Sequence, residues 1–339
     1  MNPELNREYP EPGEDKLAEE MVGVIVERMK PQQGRVRRGQ HAKPTGCVRG
    51  VFTIRDDVAD DLRHGVFRQP NQSFQAIVRF SNSSETISPD GKGDARGMAV
   101  KLLDVEGTPA VPGTANRWQD FLTVNHPVFP FATPAEYVKL VRIRQAPLVG
   151  GLLAVGWLAL FHSRHLKIVK TIRGKRVASP LDLRYWSGSP YWLGPPGTTH
   201  ARAVKYSLVP RYEGTVPPSA PNNPPADYLS RALEGHLKTR EAVFDFRVQL
   251  QSDPVTMPVE DTSVEWDEGV SKPIVVATLT IGVQDVDSSE GRALAEECEA
   301  MSFSPWNALA EHRPMGGINR LRRAVYLATQ AKRSAKRVP

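Results

Sequence analysis

Cysteine is scarce in this chain: two residues in 339, Cys47 and Cys298. They make no metal-ligand spacing and no disulfide framework, and so low a count suits a reducing compartment, so a cytoplasmic location is expected. The opening Met1-Asn2-Pro3-Glu4 leads into an acidic segment, with neither the basic nor the apolar region of a secretory signal. No apolar run reaches the roughly 20 residues of a membrane span. The longest, at 147–161, reads as a buried helix and leaves room for peripheral membrane contact at most. No Gly-x-Gly-x-x-Gly follows a strand, which disfavours a dinucleotide enzyme, and there is no internal repeat. Lysine and arginine exceed aspartate and glutamate by 44 to 38, a net charge of +6, but the excess is scattered. Only Lys332, Arg333, Lys336 and Arg337 cluster, and no aromatics interleave them. That reads as a solvated tail and not as a nucleic-acid site.

What is present is an ordinary globular composition, 40% hydrophobic and 24% charged, in a chain long enough for a sizeable core. Residues 15–29 carry Leu17, Met21, Val24, Ile25 and Met29 at helical spacing. Residues 1–30 are therefore taken as an N-terminal arm and helix, and 31–339 as one core domain. Strand texture begins after Gly46 and returns at 73–81, 97–103, 119–124, 202–209, 242–251 and 273–283. Helical patterns occupy 133–161 (two helices split near Pro147), 229–239, 290–301 and 318–335. Six prolines between Pro210 and Pro225 mark a loop excursion. Strands early and late, with helices between and after them, give an α+β class, an antiparallel barrel or sandwich with attached helices.

Five short motifs stand in order: Arg38-x-x-His41-Ala42-Lys43, Val78-Arg79-Phe80-Ser81, the run Asp94-Ala95-Arg96-Gly97-Met98-Ala99-Val100-Lys101, Asn125-His126-Pro127-Val128-Phe129, and Arg322-x-x-x-Tyr326. Each is weak alone. Together the sequence resembles the haem catalase superfamily, in particular its smaller catalase-related members. The resemblance implies an eight-stranded antiparallel β-barrel surrounded by helices, with haem b between barrel and helices, a homo-oligomer, and no separate C-terminal NADPH-type domain.

By that resemblance Tyr326 is the axial ligand of the haem iron. A phenol titrates near about 10, so ligation as phenolate needs help. Arg322, one helical turn earlier on the same face, supplies fixed positive charge. His41 is the distal base that moves a proton between the two peroxide oxygens. Asn125 holds the peroxide through its amide NH, and Ser81 fixes the His41 tautomer. Arg38 and Arg79 fall at positions that meet the haem propionates, because buried carboxylates need cationic partners. Arg96 reads equally well as a structural arginine. The remaining histidines, including His162 and His165, show no metal spacing.

The chain departs from catalases at Gln40, where an aliphatic residue packs on the haem, and at Pro130, where a distal phenylalanine is expected. Both suggest a wider substrate reach. The expected function is a haem-dependent peroxidase or catalase that reduces hydrogen peroxide or organic hydroperoxides through a ferryl intermediate, with an unknown reductant. Two alternatives stay open: a fatty-acid hydroperoxide isomerase or lyase resembling allene oxide synthase, and a haem-binding protein without turnover.

Overall fold

Alternating burial organises the strands. In β3 (Pro44–Ile54) Val48, Phe52 and Ile54 turn inward while Arg49 faces solvent. β-branched and aromatic side chains suit such a half-buried pleat. A computed structural model describes residues 3–32, 34–114, 117–145, 149–211 and 220–335 of the chain. In it, α1 (Glu14–Arg28) and a two-stranded ribbon, β1 (Pro31–Gln32) with β2 (Arg35–Val36), precede the main sheet.

The sheet closes on itself. β3 pairs antiparallel with β4 (Ser73–Asn82), β4 with β5 (Arg96–Leu102), and β5 with β6 (Gln119–Val124). β6 meets the short β7 (Tyr185–Trp186). β7 and β8 (Tyr191–Leu193) pair with successive stretches of β9 (Arg202–Pro210). β9 then pairs with β10 (Ala242–Leu250), β10 with β11 (Ile274–Ile281), and β11 returns to β3. This is the expected α+β architecture, a closed eight-stranded antiparallel barrel with helices outside it. Closure pairs most of the barrel's strand edges, with β6 and β7 meeting at the single pair Val124–Trp186.

Aromatic rings fill the barrel. Phe121 packs against Phe246, Tyr206, Phe52 and Phe67 with ring centroids 4.7, 5.1, 6.0 and 6.4 Å away. One histidine is sealed among them. The Val66 amide donates to His312 Nε2 at 3.0 Å, so the neutral ring carries its proton on Nδ1 and donates to the Tyr206 hydroxyl, also at 3.0 Å.

The helices form a second layer. α2 (Pro134–Ile143) opens on a capping box: Thr133 Oγ1 accepts from the Glu136 amide, and Glu136 accepts from the Ala132 amide. It is followed by α3 (Gly150–Phe161) and α4 (Ser163–Gly174), then α5 (Tyr228–Leu237), α6 (Ser289–Ala300) and α7 (Gly317–Ala335). Met21, Val24 and Ile25 of α1 pack on Val138 and Val141 of α2 and on Leu321 and Val325 of α7. The N-terminal arm is thus packed onto the helical layer. Arg320 of α7 is gripped by Glu8, Glu14 and Glu260 at 2.6, 2.7 and 2.9 Å. Burial opposes its charge, but these carboxylates outweigh that and raise its pKa further. Glu260 also accepts from the Gly317 amide, placing negative charge at the positive end of α7.

Three expectations need correction. The apolar run at 147–161 is not a buried helix. In α3, Ala154 and Trp157 pack inward with Leu140 and Phe131, while Leu152, Leu153, Val155 and Leu160 face outward. One helical turn exposes more directions than its neighbours cover. The two cysteines, unpaired in the sequence reading, are joined as a disulfide between β3 and α6, a pairing of partners 251 residues apart that spacing does not reveal. The basic cluster near the end is not simply solvated: Lys332 donates to the Val26 carbonyl and Arg333 to the Glu299 carbonyl. Lys336 and Arg337 lie outside the described residues, as do Pro147 and part of the proline-rich loop.

The aromatic packing predicts that Phe121→Ala will lower the unfolding free energy by about 3–5 kcal/mol, the usual cost of emptying a buried phenylalanine site. Urea titration measures it. A loss below about 1 kcal/mol would show that the barrel interior is not the principal core.

Candidate functional site

The site is built from the start of β3, the end of β4, the start of β5, and α7. His41 sits just before β3 with φ of 56°, a left-handed conformation that a non-glycine residue adopts at a cost of roughly 1–3 kcal/mol. Three bonds hold it there. The His41 amide donates to the Ser83 carbonyl at 3.0 Å, and the next amide, Ala42, donates to Ser84 at 3.1 Å. The His41 carbonyl accepts from Arg79 Nη2 at 3.0 Å. The ring is fixed separately, with Nδ1 2.9 Å from Ser81 Oγ on β4. It lies on β5 at Gly97, where a Cβ would stand 2.5 Å from the ring, so only glycine leaves the imidazole room.

Burial, with the nearby charge of Arg79, lowers the His41 pKa to about 4, so the ring is neutral at neutral pH. Asn125 follows β6. Its Oδ1 accepts from the Arg96 amide at 2.8 Å, while its buried Nδ2 has no hydrogen-bond partner among the described residues. The ring is ready to take a proton and the amide ready to donate a hydrogen bond.

On α7, Arg322 Nη2 lies 3.4 Å from the Tyr326 hydroxyl and donates to it. Arg322 is itself held by Asn319 Oδ1 at 3.0 Å, and Asn319 donates to the Pro190 carbonyl at 2.9 Å. Burial works against the Arg322 charge, but the neighbouring Tyr326 and Tyr191 hydroxyls more than offset it and raise its pKa. The charge of Arg322 reaches His41, and that of Tyr326 reaches Arg38 and Arg79. The sequence-derived residues therefore share one electrostatic neighbourhood.

Solved structures similar to this chain include three catalases. A fungal catalase solved at 1.9 Å matches with a TM-score of 0.70 at 18% identity, over 98% of this chain and 66% of its own. A bacterial catalase gives 0.66 at 16% identity, over 98% and 63%. Catalase A from Saccharomyces cerevisiae gives 0.67 at 16%, over 98% and 67%. This is the catalase fold. The catalase family model matches residues 26–147, the stretch holding His41, Arg79, Ser81 and Asn125. No curated protein matches the chain. It spans about two thirds of the length of the catalases it resembles.

Within the catalase fold the arginines divide their work. Arg38 donates through Nη2 to the carbonyls of Cys298 and Met301 at 2.9 and 3.0 Å, while its buried Nε has no partner among the described residues. Burial and the nearby Arg79 and Arg333 act against its charge. Arg79, assigned to a propionate on sequence grounds, is paired through Nε with Glu299 on α6 at 3.0 Å. Glu299 also faces Arg37 at 3.4 Å. Arg96 is structural in its contacts, donating to Asn82 and to the Asp90 carbonyl.

Three cations thus gather around one carboxylate, and Arg38 keeps a free buried donor. With the open Asn125 amide and the Arg322–Tyr326 pair, this donor set fits a dianionic haem. Propionate charge would satisfy the surplus on Arg38, and the Tyr326 oxygen would face the metal.

Sequence reasoning missed Glu299, which stands on a polar helix with nothing local to distinguish it. It also missed the gathering of Glu136, His162 and His165, whose ligand atoms lie within 4.8 Å of one another. His162 Nδ1 and His165 Nε2 stand 3.4 and 3.7 Å from the Glu136 carboxylate. His162 and His165 are separated by three residues and could have been paired by helical spacing; Glu136 could not. His126 turns to Lys175, with Nδ1 3.5 Å from Nζ.

Four histidines set the acid behaviour. Burial lowers His41 and His126 to about 4 and His312 to about 3, and pushes His165 below its ordinary value, whereas an unfolded histidine titrates near about 6.5. Between these values the unfolded chain binds more protons than the folded one, so stability rises with pH. The thermal midpoint should fall progressively as pH drops from about 6.5 towards about 4. A midpoint flat across that window would contradict the buried neutral assignments.

Proposed function

We propose that the chain is a haem-dependent member of the catalase family that reduces hydrogen peroxide or organic hydroperoxides. The observation that carries this reading is the neutral, half-buried His41, fixed by Ser81 and Gly97 in the same neighbourhood as the Asn125 amide, whose Nδ2 has no partner among the described residues. Neither group is needed merely to hold a cofactor. Haem b would be held by Tyr326, backed by Arg322, and by Arg38 through its free Nε. When bound, the haem, iron and porphyrin together, would supply the two electrons for cleaving the peroxide O–O bond.

The protein's own groups handle the protons. With Nδ1–H donated to Ser81 Oγ, His41 Nε2 carries the lone pair. It takes the proton from one peroxide oxygen and returns it to the departing oxygen, so that water or an alcohol leaves and no charged fragment is expelled. Asn125 Nδ2 donates to the peroxide and keeps it in line, a role of orientation. Arg79 acts one step back, holding the His41 carbonyl and with it the strained backbone.

A second reading, a fatty-acid hydroperoxide isomerase, draws support from the outward apolar side chains of α3 and from Gln40. The Gln40 side chain bonds Glu85 at 3.2 Å, where catalases carry an apolar cover. Product analysis separates the two. Oxygen release marks catalase action, donor oxidation marks peroxidase action, and a rearranged lipid marks isomerase action.

Two substitutions test the assignments. Tyr326→Phe should lose most haem retention and the phenolate-to-iron absorption; an unchanged ferric spectrum would remove Tyr326 as ligand. His41→Ala should retain haem but react with peroxide about a hundredfold or more slowly in rapid mixing, as proton-transfer groups usually contribute. Equal rates would remove His41 as the base. In the wild type the rate should stay level as pH falls and decline only towards about 4, where His41 takes up its proton.

A further inference from the structure

The least explained surface of the molecule is α3. From 137 to 181 the sequence contains no aspartate or glutamate and nine lysines and arginines. In the middle of this stretch stand the apolar residues of α3, with Leu152 76% and Leu160 79% exposed and Leu153 and Val155 about half exposed, as is Val149 just before the helix. Water contact of this extent on one short helix marks an interaction site.

We propose that α3 is a docking element for an anionic lipid bilayer. The helix is 12 residues long, about 18 Å at 1.5 Å per residue, against roughly 30 Å for the hydrocarbon core. It cannot cross, and no helix among the described residues is long and apolar enough to do so. It can sink into one leaflet. Cations bracket it on both sides. Arg142 and Arg144 precede it, and Arg164, Lys167, Lys170 and Arg173 follow on α4 at intervals of three.

Arg142 is engaged by Glu20, and Arg164 faces Asp261 at 3.9 Å. Arg144, Lys167, Lys170 and Arg173 form no ion pair among the described residues and are exposed. Long basic side chains reach back to phosphates while their stems lie on the apolar boundary.

A second copy of the chain fits this face poorly, because pairing would set the same carboxylate-free basic stretch against itself. An anionic bilayer supplies both the hydrocarbon and the opposite charge. The inference stands apart from the haem reading, since it uses none of the site residues.

The test is flotation of the full chain with vesicles of phosphatidylcholine alone or mixed with phosphatidylserine. The expected result is association with the mixed vesicles only, weakened by added salt. Leu152→Glu with Leu160→Glu should reduce association at least about tenfold, as should Lys167→Glu with Lys170→Glu, with thermal midpoints unchanged. Both leucines are exposed, so the first pair should fold normally. Three results would overturn the proposal: no association by the wild type, equal association with both vesicle types, or undiminished association by the leucine variant. So would a dimer in sedimentation that the leucine variant abolishes in the absence of vesicle binding.

Discussion

Arg79 joins the parts on which the site depends. Its guanidinium leaves β4, crosses to Glu299 on α6, and donates back to the carbonyl of His41. A strained histidine, a barrel strand and an outer helix are thereby tied at one buried cation. Such a charge is expensive to bury alone and much less so when paired and hydrogen-bonded. Arg37 and Arg38 approach the same carboxylate, whose pKa is pushed down by Arg79 and Arg38 despite its burial.

The two halves of the site are held by different means. On the barrel side, position comes from hydrogen-bonded backbone and from the space left at Gly97. On the helical side it comes from packing of α1, α2 and α7, with Arg320 as an ionic clamp and Asn319 linking Arg322 to the Ser189–Pro190 turn. Rigid elements on both sides are what proton transfer over a single hydrogen-bond length requires.

Much of this was legible in the residues because it is local. Alternation in 73–81 and 242–251 reads directly as strand, and Arg322 and Tyr326 are neighbours on any helix. His41, Ser81 and Asn125 were legible only through the ordered motifs, since contacts between residues 40 or more apart have no local signature. α4 escaped because its residues are mostly basic and polar and its apolar stripe is narrow. The exposed side of α3 escaped for the opposite reason: an all-apolar helix looks buried, and only the placement of its neighbours shows otherwise. Glu299 and the Cys47–Cys298 pair depend wholly on tertiary closure.

The clamp at Arg320 has a consequence for biosynthesis. Its partners Glu8 and Glu14 are made 312 and 306 residues before it. At a usual elongation rate of about 5–20 residues per second, those carboxylates wait roughly 15–60 s for their counter-charge. α7 is also the helix that carries Tyr326. On the ribosome the barrel strands can pair as they emerge, but the face with the tyrosine stays open until α7 has been translated. A nascent chain arrested before residue 317 would carry the His41 side without the helix that bears Tyr326.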